Sequence, residues 1–238
     1  MQGAPSLTVR GLSRSYGGFE ALRGLELDID PGECVAVVGH NGSGKTTAVR
    51  TIAGLLEPSA GVVEVAGSLV HEEPAGIEAR AAMAVVPDTP SLYPDLTVRE
   101  HLELVAVAHG VAGDGLDERI DLLLARLGLE EKRDARPGQL SRGMRQKVQI
   151  GCALIRPHRL LVLDEPVVGL DPASQQTLRE LLLEAKRAGV AVMLTTHQLE
   201  FARGIADRAV VLADGAVVAD GPYGEIVDAG LADGLGSS

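Results

Sequence analysis

Short apolar segments that are typical of β-strands alternate along the chain with longer segments whose apolar residues recur at helical spacing. The strand-like segments lie at 7–9, 25–29, 35–38, 62–65, 85–86, 160–163, 190–195, 210–212 and 217–218. Three of them, 35–38, 160–163 and 190–195, are apolar on both faces, which is typical of central strands in a parallel sheet covered on both sides. The alternation of strands and helices predicts an α/β fold.

Residues that favour helix ends mark several of the helical segments. Thr97 and Glu100 have the spacing of a capping box, and an apolar stretch follows them. Asp171 followed by Pro172 is typical of a helix start, and Gly189 marks the expected end of that helix. These signals predict helices at both places.

The order of the segments predicts one domain, 1–238, made of a core and an inserted subdomain. The short alternating strands near the start and at 62–65 indicate an added antiparallel β-sheet. Residues of about 89–158 are predicted to be mainly helical and to form the inserted subdomain. The core and the antiparallel sheet then occupy about 1–88 and 159–238.

The segment 39–46 fits the phosphate-binding pattern G-x-x-x-x-G-K-[ST], and it lies between a predicted strand and a predicted helix. Its glycines allow successive backbone N–H groups to curl around phosphate oxygens. Lys45 is expected to reach the β- and γ-phosphates, and the Thr46 hydroxyl to bind Mg²⁺. The alternative is a plain glycine-rich turn. The expected nucleotide-binding residues here are Gly39, His40, Asn41, Gly42, Ser43, Gly44, Lys45, Thr46 and Thr47.

Two carboxylates, Asp164 and Glu165, end the apolar strand 160–163. Open α/β sheets bind ligands at the tips of such strands. Asp164 is therefore expected to hold Mg²⁺, directly or from its second coordination sphere. Glu165 is then placed to orient or deprotonate the attacking water. A solvated strand end is the alternative, and the phosphate-binding pattern argues against it.

Taken together, these motifs resemble those of the nucleotide-binding subunit of ATP-binding cassette transporters over nearly the whole chain. The segment 140–147 is similar to the family's signature loop, usually LSGGQ, with Arg142 and Met144 in place of Gly and Gln. The resemblance implies that Ser141 and Gly143 contact the γ-phosphate bound by an opposite subunit. On physical grounds Ser141 is placed to cap a helix, where its hydroxyl and the following amides form a second anion site. An ordinary capped helix is the alternative.

Further residues follow the family's order. The segment 169–171 resembles the D-loop, and His197 resembles the switch histidine that contacts the γ-phosphate. Tyr16 matches the aromatic residue that stacks on adenine. Taken alone, His197 is compatible with an ordinary surface or core histidine, and Tyr16 with a partly buried surface tyrosine.

Asp88 departs from the family, which usually has glutamine at this position in the Q-loop. In the family this glutamine contacts Mg²⁺ and the attacking water and links the site to the membrane partner. Asp88 is a candidate cation ligand and catalytic residue, but it adds negative charge near a triphosphate. The following loop, 89–96 with Tyr93, is expected to face the membrane partner. These features resemble bacterial export-type transporters more than importers.

Composition narrows the possible partners. The net charge of −11 and an aromatic content of 2% argue against nucleic-acid binding. Cys34 and Cys152 are expected to be reduced core residues. No apolar run reaches the roughly 18 residues of a membrane span, and the first residues do not resemble a signal peptide. We expect a cytoplasmic chain that reaches the inner face of the membrane through its permease.

The expected function is ATP binding and hydrolysis, with Mg²⁺, that powers export of a substrate by a separate membrane permease. Two nucleotide-binding subunits, identical or paralogous, would hold each ATP between the Lys45 loop of one and the Ser141 loop of the other. One alternative is a soluble cassette ATPase that acts in DNA repair or translation, although a long coiled-coil insertion or a second cassette does not fit in 238 residues. A GTPase lacks support because no Asn-Lys-x-Asp motif is present, and a small-molecule kinase would not explain the Ser141 loop. Asp88 and Arg142 keep open a degenerate ATP-binding module.

Overall fold

The computed structural model describes residues 4–231, which divide into two compact units. Of the described residues, the first unit holds 4–85, 158–165 and 182–231, and the second holds 86–157 and 166–181. The outermost ends of the predicted domain, 1–3 and 232–238, lie outside the described residues.

The strands within this range are β1 (Leu7–Tyr16), β2 (Phe19–Ile29), β3 (Cys34–Val38), β4 (Ala60–Val65), β5 (Ser68–Leu69), β6 (Met83–Val86), β7 (Leu160–Asp164), β8 (Ala191–Thr195), β9 (Arg208–Ala213) and β10 (Ala216–Pro222). The α-helices are α1 (Lys45–Ile52), α2 (Ala75–Ala81), α3 (Val98–Ala108), α4 (Leu116–Leu127), α5 (Arg142–Leu154), α6 (Pro172–Arg187), α7 (Leu199–Ala202) and α8 (Tyr223–Asp228). Two 3₁₀ turns lie at Glu130–Lys132 and Pro137–Gln139.

The larger sheet has the strand order β10-β9-β3-β8-β7-β6. β3 pairs in parallel with both β8 and β9, and β7 pairs in parallel with β8, whereas β10 is antiparallel to β9. Every residue of β3, β7 and β8 is buried. The prediction that these three apolar segments are central strands of a parallel sheet is confirmed. Their carboxyl ends lie along one edge of the sheet, where the predicted site residues follow them.

The smaller sheet is antiparallel, with the order β2-β1-β4-β5, as the alternating pattern predicted. The core of the first unit combines this sheet with α1 and the larger sheet. It includes Leu12 and Val63 from the antiparallel sheet, Ile52 from α1, and Val162 and Met193 from the parallel sheet. Helix α1, which begins at the end of the segment 39–46, is therefore anchored to both sheets by apolar packing.

The second unit contains α3, α4 and α5, and the predicted capping box begins α3. Thr97 Oγ1 accepts a hydrogen bond from Glu100 N at 3.2 Å, and Glu100 Oε2 accepts one from Thr97 N at 2.7 Å. The bond from the Thr97 backbone amide to the ionised carboxylate lowers the pKa of Glu100, and the Thr97 side chain contributes in the same direction. The local sequence signal is thus confirmed in both of its parts.

Replacing Thr97 with alanine is expected to lower the free energy of unfolding by about 1 kcal/mol, because a first-turn N–H loses its acceptor. Urea denaturation followed by circular dichroism measures the change. Thr89→Ala is the matched control, since Thr89 is an exposed threonine in the preceding loop. Equal midpoints for the two variants would contradict a stabilising role of the cap.

Both cysteines are buried and free. Burial raises the pKa of each thiol to about 12, so both remain protonated and unreactive near neutral pH. This confirms that Cys34 and Cys152 are reduced core residues.

None of the helices described combines the length and the apolar character needed to span a membrane.

Candidate nucleotide site

The turn between β3 and α1 requires glycine at two positions. Gly39 has a φ of 153°, and a Cβ there would lie 2.2 Å from the carbonyl oxygen of Leu212 and 2.6 Å from Ser43 Oγ. Gly44 has a φ of 107°, and its Cβ would lie 2.6 Å from the carbonyl oxygen of Ala21. Any side chain would therefore collide with the backbone at both positions. These close backbone contacts explain why the sequence motif has glycine at both positions.

Ser43 is a buried polar residue inside the same turn. Its side chain is 0% exposed, and its Oγ has no hydrogen-bond partner among the residues described. Its amide donates to the carbonyl oxygen of His40 at 3.1 Å. A buried hydroxyl without a partner is unfavourable, so such groups are rare unless a ligand completes them. Ser43 thus fits a ligand that supplies an acceptor oxygen, such as a phosphate.

The Lys45 ammonium lies against the loop that precedes it. Nζ donates to the carbonyl oxygens of Gly39 at 2.7 Å and His40 at 3.0 Å, and the residue is only 7% exposed. Burial lowers the pKa of Lys45, and the nearby charges of Glu165 and Asp164 oppose that effect. The amine is therefore held at the loop, close enough to both carboxylates to sense their charge.

The N-terminus of α1 is open to an anion. Gly44 precedes the helix without a side-chain cap, and its first turn contains no acidic residue. The first N–H groups of a helix need partners from outside it, and the helix dipole favours a negative one. Thr46 and Thr47 lie in this first turn and are half-buried. The turn, the helix start and Lys45 together form a cradle suited to phosphate groups.

Asp164 and Glu165 lie at the carboxyl end of β7, as predicted. Asp164 is 2% exposed and stands opposite Thr195 of β8 in the parallel register. Thr195 Oγ1 donates a hydrogen bond to Asp164 Oδ1 at 2.5 Å. This bond compensates part of the cost of burying the carboxylate and fixes its orientation.

Glu165 has the left-handed backbone conformation, with a φ of 47°. Non-glycine residues in this region are strained and persist only where their surroundings hold them. The Glu165 amide donates to both the carbonyl oxygen and Oγ1 of Thr195, at 3.2 Å and 3.0 Å. The neighbouring strand therefore holds the strained turn.

The Glu165 carboxylate is bound by His197. Glu165 Oε2 accepts from the His197 backbone N at 3.3 Å and from Nδ1 at 2.8 Å, which places a proton on Nδ1. The ring itself is exposed. The structure therefore brings together the predicted residues Lys45, Asp164, Glu165 and His197 within the first unit. Their arrangement has an ammonium at the turn before α1 and a carboxylate held by two N–H donors.

Tyr16 ends β1 and is 43% exposed. The Arg14 guanidinium carbon lies 4.7 Å from the centroid of the Tyr16 ring, a cation–π distance. Arg14 also donates to the carbonyl oxygen of Glu57 at 2.7 Å, which fixes its position. The stacking of adenine on Tyr16 stays a prediction.

In the second unit, Ser141 is the N-cap of α5, as expected, and its Oγ accepts from the Met144 amide at 3.2 Å. Gly143 is required there by a close approach: a Cβ would lie 2.3 Å from the carbonyl oxygen of Gly169. The contact of Ser141 and Gly143 with a nucleotide stays a prediction. Asp88, after β6, is half-buried in this unit, and its role toward a cation also stays a prediction.

Two functional candidates were missed by sequence reasoning. Thr195 bonds the Asp164 carboxylate and the Glu165 backbone amide, and Arg14 covers one face of Tyr16. The position of Thr195, two residues before His197, is a signal only once the register between β7 and β8 is known. Arg14 lies two residues before Tyr16 on the same face of a strand, a spacing that could have indicated the contact.

Comparisons with known proteins show what the whole chain is similar to. The family model described as ABC transporter matches residues 22–168. The ABC-type transporter ATP-binding protein EcsA of Bacillus subtilis (strain 168) is 36% identical over 220 residues, which cover 92% of this chain and 88% of EcsA. The SkfA peptide export ATP-binding protein SkfE of the same strain is 37% identical over 214 residues, 90% of this chain and 88% of SkfE. A solved structure of the ATP-binding subunit of an ABC transporter is 36% identical with a TM-score of 0.87, covering 96% of this chain and 95% of that one.

Proposed function

The chain belongs to the ABC transporter family, whose ATP-binding subunits hydrolyse ATP, and we propose that it powers export of a substrate through a separate membrane permease. One observation supports the catalytic part of this proposal most strongly. The phosphate cradle at Lys45 occurs together with a carboxylate, that of Glu165, which His197 holds in place. The similarity to SkfE, a protein named for peptide export, supports the direction of transport.

In this proposal the triphosphate of ATP binds in the turn before α1. Its oxygens accept from Ser43 Oγ and from the first amides of α1, and they replace the carbonyl oxygens of Gly39 and His40 as partners of Lys45. The unpaired hydroxyl of Ser43 supports this arrangement, because a phosphate oxygen would complete it. Adenine stacks on the face of Tyr16 opposite Arg14.

Thr46 and Asp164, both in the first unit, are the residues that we propose to hold Mg²⁺. No group of three or more His, Cys, Asp or Glu side chains is arranged as a metal site in the part of the chain described. A hydroxyl and a carboxylate are the hard oxygen donors that Mg²⁺ prefers, and this ion commonly takes its other ligands from phosphates and water. When bound, Mg²⁺ neutralises charge on the β- and γ-phosphates.

Glu165 is the proposed general base for the attacking water. Its Oε2 is oriented by Nδ1–H and the backbone N–H of His197, and a carboxylate oriented this way can accept a proton without rearranging. A second proton on the His197 ring, at Nε2, would allow the ring to donate to a γ-phosphate oxygen as well. His197 then joins the base and the γ-phosphate that water attacks in one hydrogen-bonded unit, and ADP departs as the leaving group.

We expect two copies, or one copy and a paralogue, to assemble head to tail, with Ser141 completing the neighbour's site. Lys45→Ala and Ser141→Arg should each be inactive alone, and a mixture of the two should regain activity in its one intact composite site. ATPase activity of the mixture is compared with that of each variant. Mixed dimers that recover no activity would contradict the head-to-tail arrangement.

Transport is tested by co-expressing the chain with each membrane protein that the reading frames beside its gene encode. We expect a stoichiometric complex that places the chain at the cytoplasmic face of the membrane. In vesicles its ATPase activity should exceed that of the isolated chain, and Lys45→Ala in the same complex is the control. A chain that forms no complex with such a membrane protein, and whose ATPase activity is the same with and without it, would favour an ATPase not engaged in transport.

A further inference from the structure

The hydroxyl of Thr195 connects the carboxylate of Asp164 with the backbone amide of Glu165. Thr195 is 0% exposed at the end of β8, and its Oγ1 lies 2.5 Å from Asp164 Oδ1 and 3.0 Å from Glu165 N. An amide can only donate, so the hydroxyl oxygen accepts from Glu165. The single hydroxyl proton is then committed to Asp164. The donor and the acceptor of both hydrogen bonds are therefore determined.

Each of these bonds acts on a group that the reaction requires. The bond to Asp164 fixes one oxygen of a buried carboxylate and so determines where its other oxygen lies. The bond to the amide supports the left-handed backbone of Glu165, whose φ of 47° is strained. His197, two residues further along, holds the side chain of the same glutamate. One strand end thus orients Glu165 through both its backbone and its carboxylate.

We infer that Thr195 is a positioning residue that aligns Asp164 for the cation and Glu165 for the attacking water. This inference rests on the proposed roles of these two carboxylates. Thr195 contacts neither of the reacting atoms itself; it acts through the groups that do. Removal of such supporting bonds typically costs about 10–100-fold in metal affinity or activity.

The test compares three variants of the full-length chain. Thr195→Val keeps the shape but removes both hydrogen bonds, and Thr195→Ser keeps the hydroxyl. Thr51→Val is the matched control, because Thr51 is also 0% exposed and, within residues 4–231, its Oγ1 bonds only a helix carbonyl, that of Thr47, at 2.8 Å. For each variant, kcat is measured over a range of free Mg²⁺, together with the melting temperature.

We expect Thr195→Val to lower kcat by about 10–100-fold and to raise the free Mg²⁺ needed for half-maximal activity. Thr195→Ser should restore most of both properties. Thr51→Val should lose melting temperature without a change in Mg²⁺ requirement, which separates positioning from a loss of stability. If Thr195→Val does not fold, Thr195→Cys replaces it. Because S–H is a weak donor, Thr195→Cys should have a lower kcat and a higher free Mg²⁺ requirement than Thr195→Ser.

Glu165→Gln and Lys45→Ala are assayed in parallel. Thr195→Val or Thr195→Cys with wild-type kcat and Mg²⁺ requirement, while those two variants are inactive, would overturn the role of Thr195 alone. Wild-type activity in Glu165→Gln would instead overturn the proposed base, and the inference with it.

Discussion

Lys45→Ala is expected to lose tight ATP binding, and hydrolysis with it. Lys45 Nζ is the ammonium held at the phosphate cradle, where it already forms two hydrogen bonds to the loop. A hydrogen bond to a charged group contributes about 1.5–3 kcal/mol, so losing two of them from the complex should raise the Kd for ATP by about 100-fold or more. Calorimetric titration with Mg-ATP measures this change.

Lys132→Ala is the matched control, since Lys132 is an exposed lysine in a 3₁₀ turn of the second unit. It should bind ATP like wild type. If Lys45→Ala also bound and hydrolysed Mg-ATP like wild type, the turn before α1 would not be the phosphate site.

Glu165→Gln is expected to slow hydrolysis by about 10²–10⁴-fold, the usual cost of removing a general base. Glutamine keeps the size of the side chain and one acceptor for His197, but it cannot take a proton from water. ATP binding should survive because Lys45, Thr46 and Asp164 remain. The ATP-bound pair should therefore accumulate with Mg-ATP, which size-exclusion chromatography detects as a shift from monomer to dimer.

Asp88 provides the competing explanation, because it is the other carboxylate that the sequence predicts to be catalytic. The double variant Glu165→Gln, Asp88→Asn separates the two. Near-normal turnover in Glu165→Gln that disappears in the double variant would assign the base role to Asp88. Near-normal turnover in both would exclude a carboxylate base. Glu131→Gln, at an exposed position in a 3₁₀ turn, controls for the loss of one charge.

Much of the fold was predictable because its signals are local or periodic. β3, β7 and β8 are apolar on both faces, and a strand with no polar face has to be covered on both sides. The caps at Thr97 and Ser141 depend on bonds to an amide three residues away, so the sequence itself contains both partners. The glycine pattern of the phosphate turn is local in the same sense.

The details that connect the site residues were not predictable, because they depend on pairing between distant segments. Thr195 meets Asp164 only through the parallel register of β7 and β8, and 31 positions separate the two along the chain. The left-handed backbone of Glu165 has no compositional signal, since glycine or asparagine would be the usual residue there. The burial of the Ser43 hydroxyl without a hydrogen-bond partner likewise cannot be predicted from the sequence, because it depends on how the residues around it pack.

The central claim is that this chain binds ATP at the Lys45 turn and cleaves it with the carboxylate at the end of β7. A single-turnover experiment with γ-labelled ATP and Mg²⁺ tests it most directly, with bound ATP and released phosphate measured in the same samples. Wild type should bind and cleave, Lys45→Ala should do neither, and Glu165→Gln should bind without cleaving on the wild-type timescale. Release of phosphate at the wild-type rate by both variants would contradict the account.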